Sequence, residues 1–194
     1  MKLEVRIHGR GGQGVVTAAE LLSLAAFDQG LHAQALPSFG SERTGAPVVS
    51  FCRIAGRPIR AHDPVSHPDV VVVQDPTLLH DGAILTGLTP EGLVVVNTGR
   101  SPDQLVHAGL ALAPGQCAVC LPATELSREA LGRPLPNTAL VGAVVALTHV
   151  VELHALQAAI RERFGHAPDE VLAANLRLAS DAYVLVREQE RHRA

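Results

Sequence analysis

Aromatic residues are scarce in this chain of 194 residues, which has four Phe, one Tyr and no Trp. The core must therefore be built from Val, Leu and Ala, a composition that favours a helix-covered parallel sheet over a surface that stacks nucleobases. A long run of basic residues is also lacking, and the net charge is −3. Because binding to a phosphate backbone needs concentrated Lys and Arg, we expect no nucleic acid as a partner.

No apolar run is long enough to predict a membrane span. The longest run, residues 138–151, is broken by Gly142 and His149 and is shorter than the roughly 20 residues of a spanning helix. We expect a buried helix or a subunit contact there. The sequence starts directly with a strand pattern, which leaves no room for a signal peptide. These features predict a cytoplasmic protein with no membrane partner.

The three cysteines are too few for an iron–sulfur motif of repeated C-x-x-C spacing. Cys117 and Cys120 lie on a predicted strand, where positions three apart point to opposite faces, so they are poorly placed to ligate one metal. We expect buried thiols and no metal site. No serine lies in a nucleophile elbow, and no histidine pair has the spacing of a helical metal site. The chain therefore looks catalytically incomplete, and we predict no catalytic residue.

A glycine-rich motif stands near the start of the chain. Residues 9–14 read Gly-Arg-Gly-Gly-Gln-Gly, between the apolar run 3–8 and the helix-like run 15–27. A strand, a glycine turn and a helix N-terminus together offer backbone N–H groups and partial positive charge to an anion. The residues of this predicted cradle are Gly9, Arg10, Gly11, Gly12, Gln13 and Gly14. The alternative is a tight turn that binds nothing.

The same spacing is found in dinucleotide-binding folds, but there an acidic residue follows at the end of the second strand to bind the ribose. Residues 31–36 contain no carboxylate, which argues against an NAD site. Arg10 within the motif suits a phosphate-rich ligand instead.

The remaining apolar runs predict an α/β fold. Strands are expected at residues 3–8, 31–36, 47–54, 69–74, 92–97 and 116–121. A turn at Ala55 and Gly56 would pair the third strand with residues 57–61, a small antiparallel excursion. The rest of the chain is helical, with a helix from near Pro168. We predict a Rossmann-like, mostly parallel sheet flanked by helices, with a helical C-terminal segment, in a single domain over residues 1–194.

Polar residues follow two of the buried strands. Ligands of open α/β sheets bind outside the carboxyl ends of the strands, which would place Gln74, Asp75, Asn97 and Thr98 near a site. Residues at such positions are as often helix caps, and the sequence leaves both interpretations open.

Four segments together carry a family resemblance. They are His-Gly-Arg-Gly-Gly-Gln-Gly at 8–14, Pro-Ser-Phe-Gly-Ser-Glu-Arg-Thr-Gly-Ala-Pro at 37–47, Val-Gln-Asp-Pro at 73–76 and Val-Asn-Thr at 96–98. The chain resembles the gamma subunit of pyruvate:ferredoxin oxidoreductases and related 2-oxoacid oxidoreductases, from Met1 to about Leu185. The resemblance implies a complex with alpha-, beta- and delta-type subunits that carry thiamine diphosphate, Mg²⁺ and 4Fe–4S clusters. Such a complex converts a 2-oxoacid, here pyruvate by resemblance, to acyl-CoA and reduces ferredoxin; the gamma subunit is not active alone.

The resemblance also implies that this chain contributes to a coenzyme A site. The glycine motif would bind phosphate, and Ser38, Ser41, Arg43 and Asn97 would join it. In a competing interpretation Arg43 instead forms an interface ion pair with Glu42. Thr44 stands where a second arginine is common, which weakens the expectation of a double-arginine clamp. Two other functions stay open: a free-standing NAD(P)-binding oxidoreductase and a purely architectural subunit.

Overall fold

The computed structural model describes residues 2–37 and 45–192. Six strands form one sheet in the order β2-β3-β1-β4-β5-β6. The strands are β1 Lys2–Arg10, β2 His32–Pro37, β3 Pro47–Ala55, β4 Val70–Val73, β5 Leu93–Asn97 and β6 Cys117–Leu121. The α-helices are α1 Val15–Asp28, α2 Pro102–His107, α3 Ala123–Leu131, α4 Asn137–Thr148, α5 Leu153–Phe164 and α6 Asp169–Arg191. Two 3₁₀ helices, Pro76–His80 and Gly82–Leu85, follow β4.

The central strands read as continuous valine because both faces of the sheet are covered. Val70 and Val72 of β4 pack into the larger cluster with residues of α1, α4, α5 and α6. Val71 and Val73 face the other way, into a smaller cluster with Leu105 of α2. Helices thus cover one face thickly, while the 3₁₀ helices and α2 cover the other. This confirms the α/β prediction.

Helix α4 lies inside the molecule, as predicted for the longest apolar run. All ten residues from Asn137 to Ala146 are buried. Gly142 permits a close approach to α6, because a β-carbon there would lie 2.4 Å from the carbonyl oxygen of Ala179. The Thr138 hydroxyl also donates to Oδ1 of Asn175 across this contact, at 2.9 Å.

The antiparallel part of the sheet differs from the predicted excursion. Residues 57–61 form no strand. Instead β3 pairs antiparallel with β2 on one side and with β1 on the other. Both edges of β3 are therefore occupied, so no hydrogen-bonding edge is left for residues 57–61. The predicted pairing was wrong, while the mostly parallel character holds, since β1, β4, β5 and β6 run parallel.

The order of the strands places a crevice between β1 and β4. From β1 the chain passes to β2 at the edge of the sheet and returns through β3, which lies beside β1. It then crosses to β4 on the other side of β1. This reversal is the topological switch point at which ligands of open α/β sheets bind. The carboxyl ends of β1 and β4, at Arg10 and Val73, therefore border the candidate site.

The two cysteines of β6 lie on opposite faces of the strand, as expected. Cys120 is buried, but Cys117, the first residue of this edge strand, is exposed, so the prediction of buried thiols was wrong for Cys117. Among the helices that the structure describes, none has the length and apolar character needed to cross a membrane.

Candidate functional site

The glycine motif is a preformed connection between β1 and α1. β1 extends two residues further than predicted and includes Gly9 and Arg10. A β-carbon at Gly9 would lie 2.6 Å from Cγ2 of Val15 and 3.1 Å from Cβ of Gln74, so only glycine fits between β4 and the helix. Gly14 caps α1 in the left-handed region, at φ 75°. Glycine is needed here for close approach and for backbone conformation.

Hydrogen bonds within the motif fix its shape. The amide of Arg10 donates to Oε1 of Gln13 at 2.8 Å, and the Gln13 amide donates back to the Arg10 carbonyl at 3.1 Å. Gln13, a predicted ligand-binding residue, therefore has its side-chain oxygen engaged in closing the turn.

The N-terminus of α1 opens into a groove of about 320 Å³. Residues 10–12 and 14–17 line it together with Val48. The first-turn amides of a helix have no carbonyl partner within the helix, and Gly14 supplies no side-chain cap to them. Gly12, at φ 94° and with nothing within 4 Å of an added β-carbon, leaves the groove open to its backbone. Backbone donors and the positive end of the helix dipole thus face one groove, an arrangement that fits an anion.

Arg10 is held in a network instead of projecting freely into this groove. Its Nε donates to Oδ2 of Asp75 at 2.8 Å, its Nη2 to the hydroxyl of Thr77 at 2.8 Å, and its Nη1 to the carbonyl of Gly45 at 3.1 Å. Burial alone would raise the pKa of Asp75, but hydrogen bonds from Thr77 and Arg10 outweigh it and lower that pKa. The switch-point crevice is thus bridged by an ion pair between the ends of β1 and β4.

The second predicted loop ends beside the first. Ser38, Ser41 and Arg43 lie outside the described residues, as do Glu42 and Thr44. The chain returns at Gly45, whose amide donates to the Gly11 carbonyl at 3.1 Å. The Gly11 amide in turn donates to Ala46 at 2.9 Å.

Gln74 follows β4 directly and lies beneath the glycine motif. Its side chain is fully buried, at 0% exposure, and neither Oε1 nor Nε2 has a hydrogen-bond partner among the described residues. Its main chain is engaged, since the amide donates to His8 and the carbonyl accepts from Nδ2 of Asn97. A buried amide without hydrogen-bond partners destabilises the folded state, and such groups are rare in folded proteins.

Asn97, predicted as a ligand-binding residue, joins three elements. It is 5% exposed, and its Nδ2 donates at 2.7 Å both to the Gln74 carbonyl and to the hydroxyl of Thr124. Its Oδ1 accepts from the Thr124 amide at 3.0 Å, which caps the N-terminus of α3. The structure therefore places Asn97 behind the groove, where it connects β4, β5 and α3.

The sequence reasoning missed Asn137, the first residue of α4. Its side chain is 6% exposed, and a β-carbon at Gly14 would lie 2.7 Å from its Nδ2. The N-terminus of α4 thus packs against the N-terminus of α1, and the two dipoles point towards the same edge of the sheet. The only sequence signal was the position of Asn137 at the start of an apolar helix.

His8 lies on the face of β1 opposite to Gly9. Burial lowers the pKa of His8 to about 4, helped by the charge of Arg6 and opposed by that of Asp81. Its Nε2 has no hydrogen-bond partner in the described part of the chain. In residues 2–37 and 45–192, no three His, Cys, Asp or Glu side chains are grouped so as to hold a metal ion.

Comparison with known proteins decides the family. Residues 4–185 match the profile of the family described as pyruvate ferredoxin/flavodoxin oxidoreductase. The chain belongs to this family. The common gamma subunit of the pyruvate/ketoisovalerate oxidoreductases of Thermococcus kodakarensis is 45% identical over 181 residues, which cover 93% of this chain and 95% of that protein. The chain is therefore a gamma-type subunit of a 2-oxoacid:ferredoxin oxidoreductase.

Solved structures share the fold. Pyruvate oxidoreductase subunit PORC of Thermotoga maritima superposes with a TM-score of 0.81 at 36% identity, over 94% of this chain and 95% of that one. A 2-oxoglutarate:ferredoxin oxidoreductase of Magnetococcus marinus, solved with 2-oxoglutarate, coenzyme A and succinyl-CoA, gives a TM-score of 0.78 at 20% identity. That match covers 96% of this chain but 31% of the other, and it shows that the same fold occurs within a longer chain.

Proposed function

We propose that this chain, as a single domain over residues 1–194, binds the phosphate groups of coenzyme A for a thiamine-diphosphate-dependent pyruvate:ferredoxin oxidoreductase. Thiamine diphosphate, Mg²⁺ and 4Fe–4S clusters belong to alpha-, beta- and delta-type subunits, and ferredoxin takes the electrons. The observation that supports this proposal is the groove at the N-terminus of α1, with uncapped first-turn amides beside the arginine of the motif. Bound coenzyme A supplies the thiol that accepts the acyl group.

The residues of the glycine motif fit this ligand in charge and in space. Gly12, Gly14 and the first turn of α1 offer N–H donors, and the helix N-terminus contributes roughly half a positive charge. Arg10 adds a guanidinium that hydrogen bonds already orient, so little side-chain entropy is lost when a phosphate approaches. The role of this chain is to bind and orient, and correct orientation alone lowers a reaction barrier by several kcal/mol.

The proposal retains Ser38, Ser41 and Arg43 as residues that donate to the same ligand. Their loop returns at Gly45, which is bonded to both Gly11 and Arg10. Gln13 and Asn97 also remain in the proposed site. The bonds described above suit them to holding the turn and the strand ends, and their direct contact with ligand is still a prediction.

The decisive experiment measures the coenzyme A dependence of 2-oxoacid oxidation in the reconstituted complex. Arg10→Ala removes a charged donor and leaves Asp75 unpaired near the phosphates, so we expect KM for coenzyme A to rise about tenfold with kcat little changed. Arg43→Ala is expected to act in the same direction. Asp75→Asn removes the competing carboxylate and should leave KM unchanged or lower.

The matched control is Arg133→Ala, at an exposed arginine in the loop after α3. It should leave KM unchanged. If Arg10→Ala and Arg43→Ala also leave KM unchanged, the proposed site is wrong. Weaker assembly without any change in KM would support the purely architectural function instead, and turnover that needs a nicotinamide cofactor would support the NAD(P)-binding one.

A further inference from the structure

A second pocket lies at the opposite end of the sheet from the glycine motif. It has a volume of about 640 Å³ and is lined by Lys2 and Glu4 of β1 and by residues 53–61. Lys2 and Arg10 are at the two ends of β1, so about 26 Å of strand separates this pocket from the proposed coenzyme A site. The two sites are therefore well separated.

The pocket is basic although the chain as a whole is acidic. Its lining contains the cationic side chains of Lys2, Arg53, Arg57 and Arg60 against the single carboxylate of Glu4, while the net charge of the chain is −3. That carboxylate is already bonded to Arg53 at 2.8 Å and to Lys2 at 3.0 Å. Within the described part of the chain, Arg57 and Arg60 form no ion pair. Two exposed cations thus lack a counter-charge.

The wall of the pocket has unpaired backbone groups. Between β3 and β4 the chain runs through residues 56–69 without helix or strand, and most of residues 56–64 are exposed. Among the residues described, none accepts a hydrogen bond from the backbone N–H groups of residues 56, 57 and 59–63. A segment with free backbone donors is suited to hydrogen bonding with a second, extended segment.

Buried side chains nevertheless hold this segment in place. Arg53 and Arg6 donate to the successive carbonyls of Pro64 and Val65, at 3.3 and 3.5 Å. On the side of the edge strand β2, Nε2 of Gln34 lies 3.1 Å from Nδ1 of His62. Arg53 is 5% exposed, and its Nη1 has no hydrogen-bond partner among the described residues. These bonds hold residues 62–65 in position. The buried Nη1 of Arg53 beside them still lacks an acceptor among the described residues.

We propose that this pocket binds an acidic, extended segment of a partner subunit of the oxidoreductase. Carboxylates of the segment pair with Arg57 and Arg60, and its carbonyl groups accept from the free amides of residues 56, 57 and 59–63. The occupant is a peptide of the complex because the site combines uncompensated positive charge with unpaired backbone along one exposed stretch. The inference rests on the proposed assembly, but not on coenzyme A binding.

The first test is the association of this chain with its partner subunits at low and at high salt. Arg57→Glu combined with Arg60→Glu reverses both charges at exposed positions. We expect association to weaken by about tenfold or more at low salt, with a smaller difference at high salt. The matched control is Arg133→Glu combined with Arg161→Glu, two exposed arginines outside the pocket, which should associate like the wild type. Thermal unfolding verifies that both double variants are folded.

The second test is zero-length carbodiimide cross-linking of the intact complex that carries Arg57→Lys, which introduces an amine without removing the charge. We expect a cross-link from position 57 to an Asp or Glu of a partner subunit. The inference is overturned if the charge-reversed chain associates with wild-type affinity. It is equally overturned if the cross-links join two copies of this chain, or if inorganic phosphate alone saturates the pocket without any effect on assembly.

The failures of the two proposals are distinguishable. If the wild-type chain does not associate with the partner subunits, the proposed function fails. If it associates and the charge-reversed chain does so equally well, only the present inference fails. In complexes that do assemble, Arg57→Glu with Arg60→Glu should leave KM for coenzyme A unchanged, since the pocket is remote from α1.

Discussion

The buried side chain of Gln74 affects the stability of the folded protein. Its buried side-chain amide has no hydrogen-bond partner among the described residues, so replacement by an apolar side chain removes an unsatisfied group. We expect Gln74→Leu to leave the free energy of unfolding unchanged or to raise it by about 1–2 kcal/mol. Urea denaturation of the isolated chain measures this change.

The matched control is Gln116→Leu. The Gln116 side chain donates to the carbonyls of Leu88 and Thr89 and accepts from the Ala113 amide. Its replacement should therefore lower the free energy of unfolding by about 1–3 kcal/mol. A comparable loss for Gln74→Leu would contradict the prediction and would show that the Gln74 amide is hydrogen-bonded in solution.

At the residue scale, the sequence predicted the glycine motif but not the contacts that its residues make with distant parts of the chain. The strand, the turn and the helix start are local and follow from residues 3–27 alone. The pairing of Arg10 with Asp75 joins residues 65 positions apart and exists only because β1 and β4 are adjacent. The contact of Gly14 with Asn137 likewise depends on how α4 packs. No spacing rule in the sequence encodes either contact.

At the scale of elements, the crossing of α4 and α6 depends on a glycine. An alanine at position 142 would bring a methyl group to 2.4 Å from the Ala179 carbonyl oxygen, and main chain moves less readily than a side chain. We expect Gly142→Ala to lower the free energy of unfolding by about 1–3 kcal/mol, although alanine favours an isolated helix. Thermal or urea unfolding measures the loss.

Gly99→Ala is the control, because a β-carbon at Gly99 meets nothing within 4 Å. Adding Ala179→Gly to Gly142→Ala should not restore stability, since the crowded atom belongs to the main chain. If Gly142→Ala has the wild-type free energy of unfolding, α4 and α6 accommodate the added methyl group without cost and the prediction is wrong.

All six predicted strands begin and end within two residues of the observed ones, and the largest difference is the end of β1, which extends two residues further than predicted. Their apolar runs are bounded by glycine and proline, which are local signals. The local sequence could not exclude the pairing of residues 57–61 with β3, because a short segment after a turn has the pattern of the second strand of a hairpin. What excludes it is that β2 and β1 occupy both edges of β3, a property of the whole sheet.

At the scale of the molecule, the half-buried His8 makes stability depend on pH. The unfolded chain protonates His8 near its ordinary pKa of about 6.5, whereas burial lowers the pKa of His8 in the folded protein to about 4. Between these values the unfolded state binds more protons, so the free energy of unfolding falls as the pH falls, by an amount of order 3 kcal/mol. Urea unfolding at several pH values across this window measures the slope.

His8→Leu should flatten that slope, because it removes the group that titrates. Asp75→Asn is the control: the lowered pKa of Asp75 means that its stabilisation is lost only as the pH falls through a value below its ordinary one. This variant should therefore keep the wild-type slope above pH 4. An unchanged slope in His8→Leu would show that His8 is accessible to protons in the folded protein.

The buried position of α4 also has a consequence for how the protein is made. A helix that is apolar on all sides must be covered on all sides, and much of its cover is α6, which begins at Asp169. A nascent chain on the ribosome therefore exposes α4 until α6 has emerged. We expect this interval to be the time at which the growing chain is most dependent on chaperones.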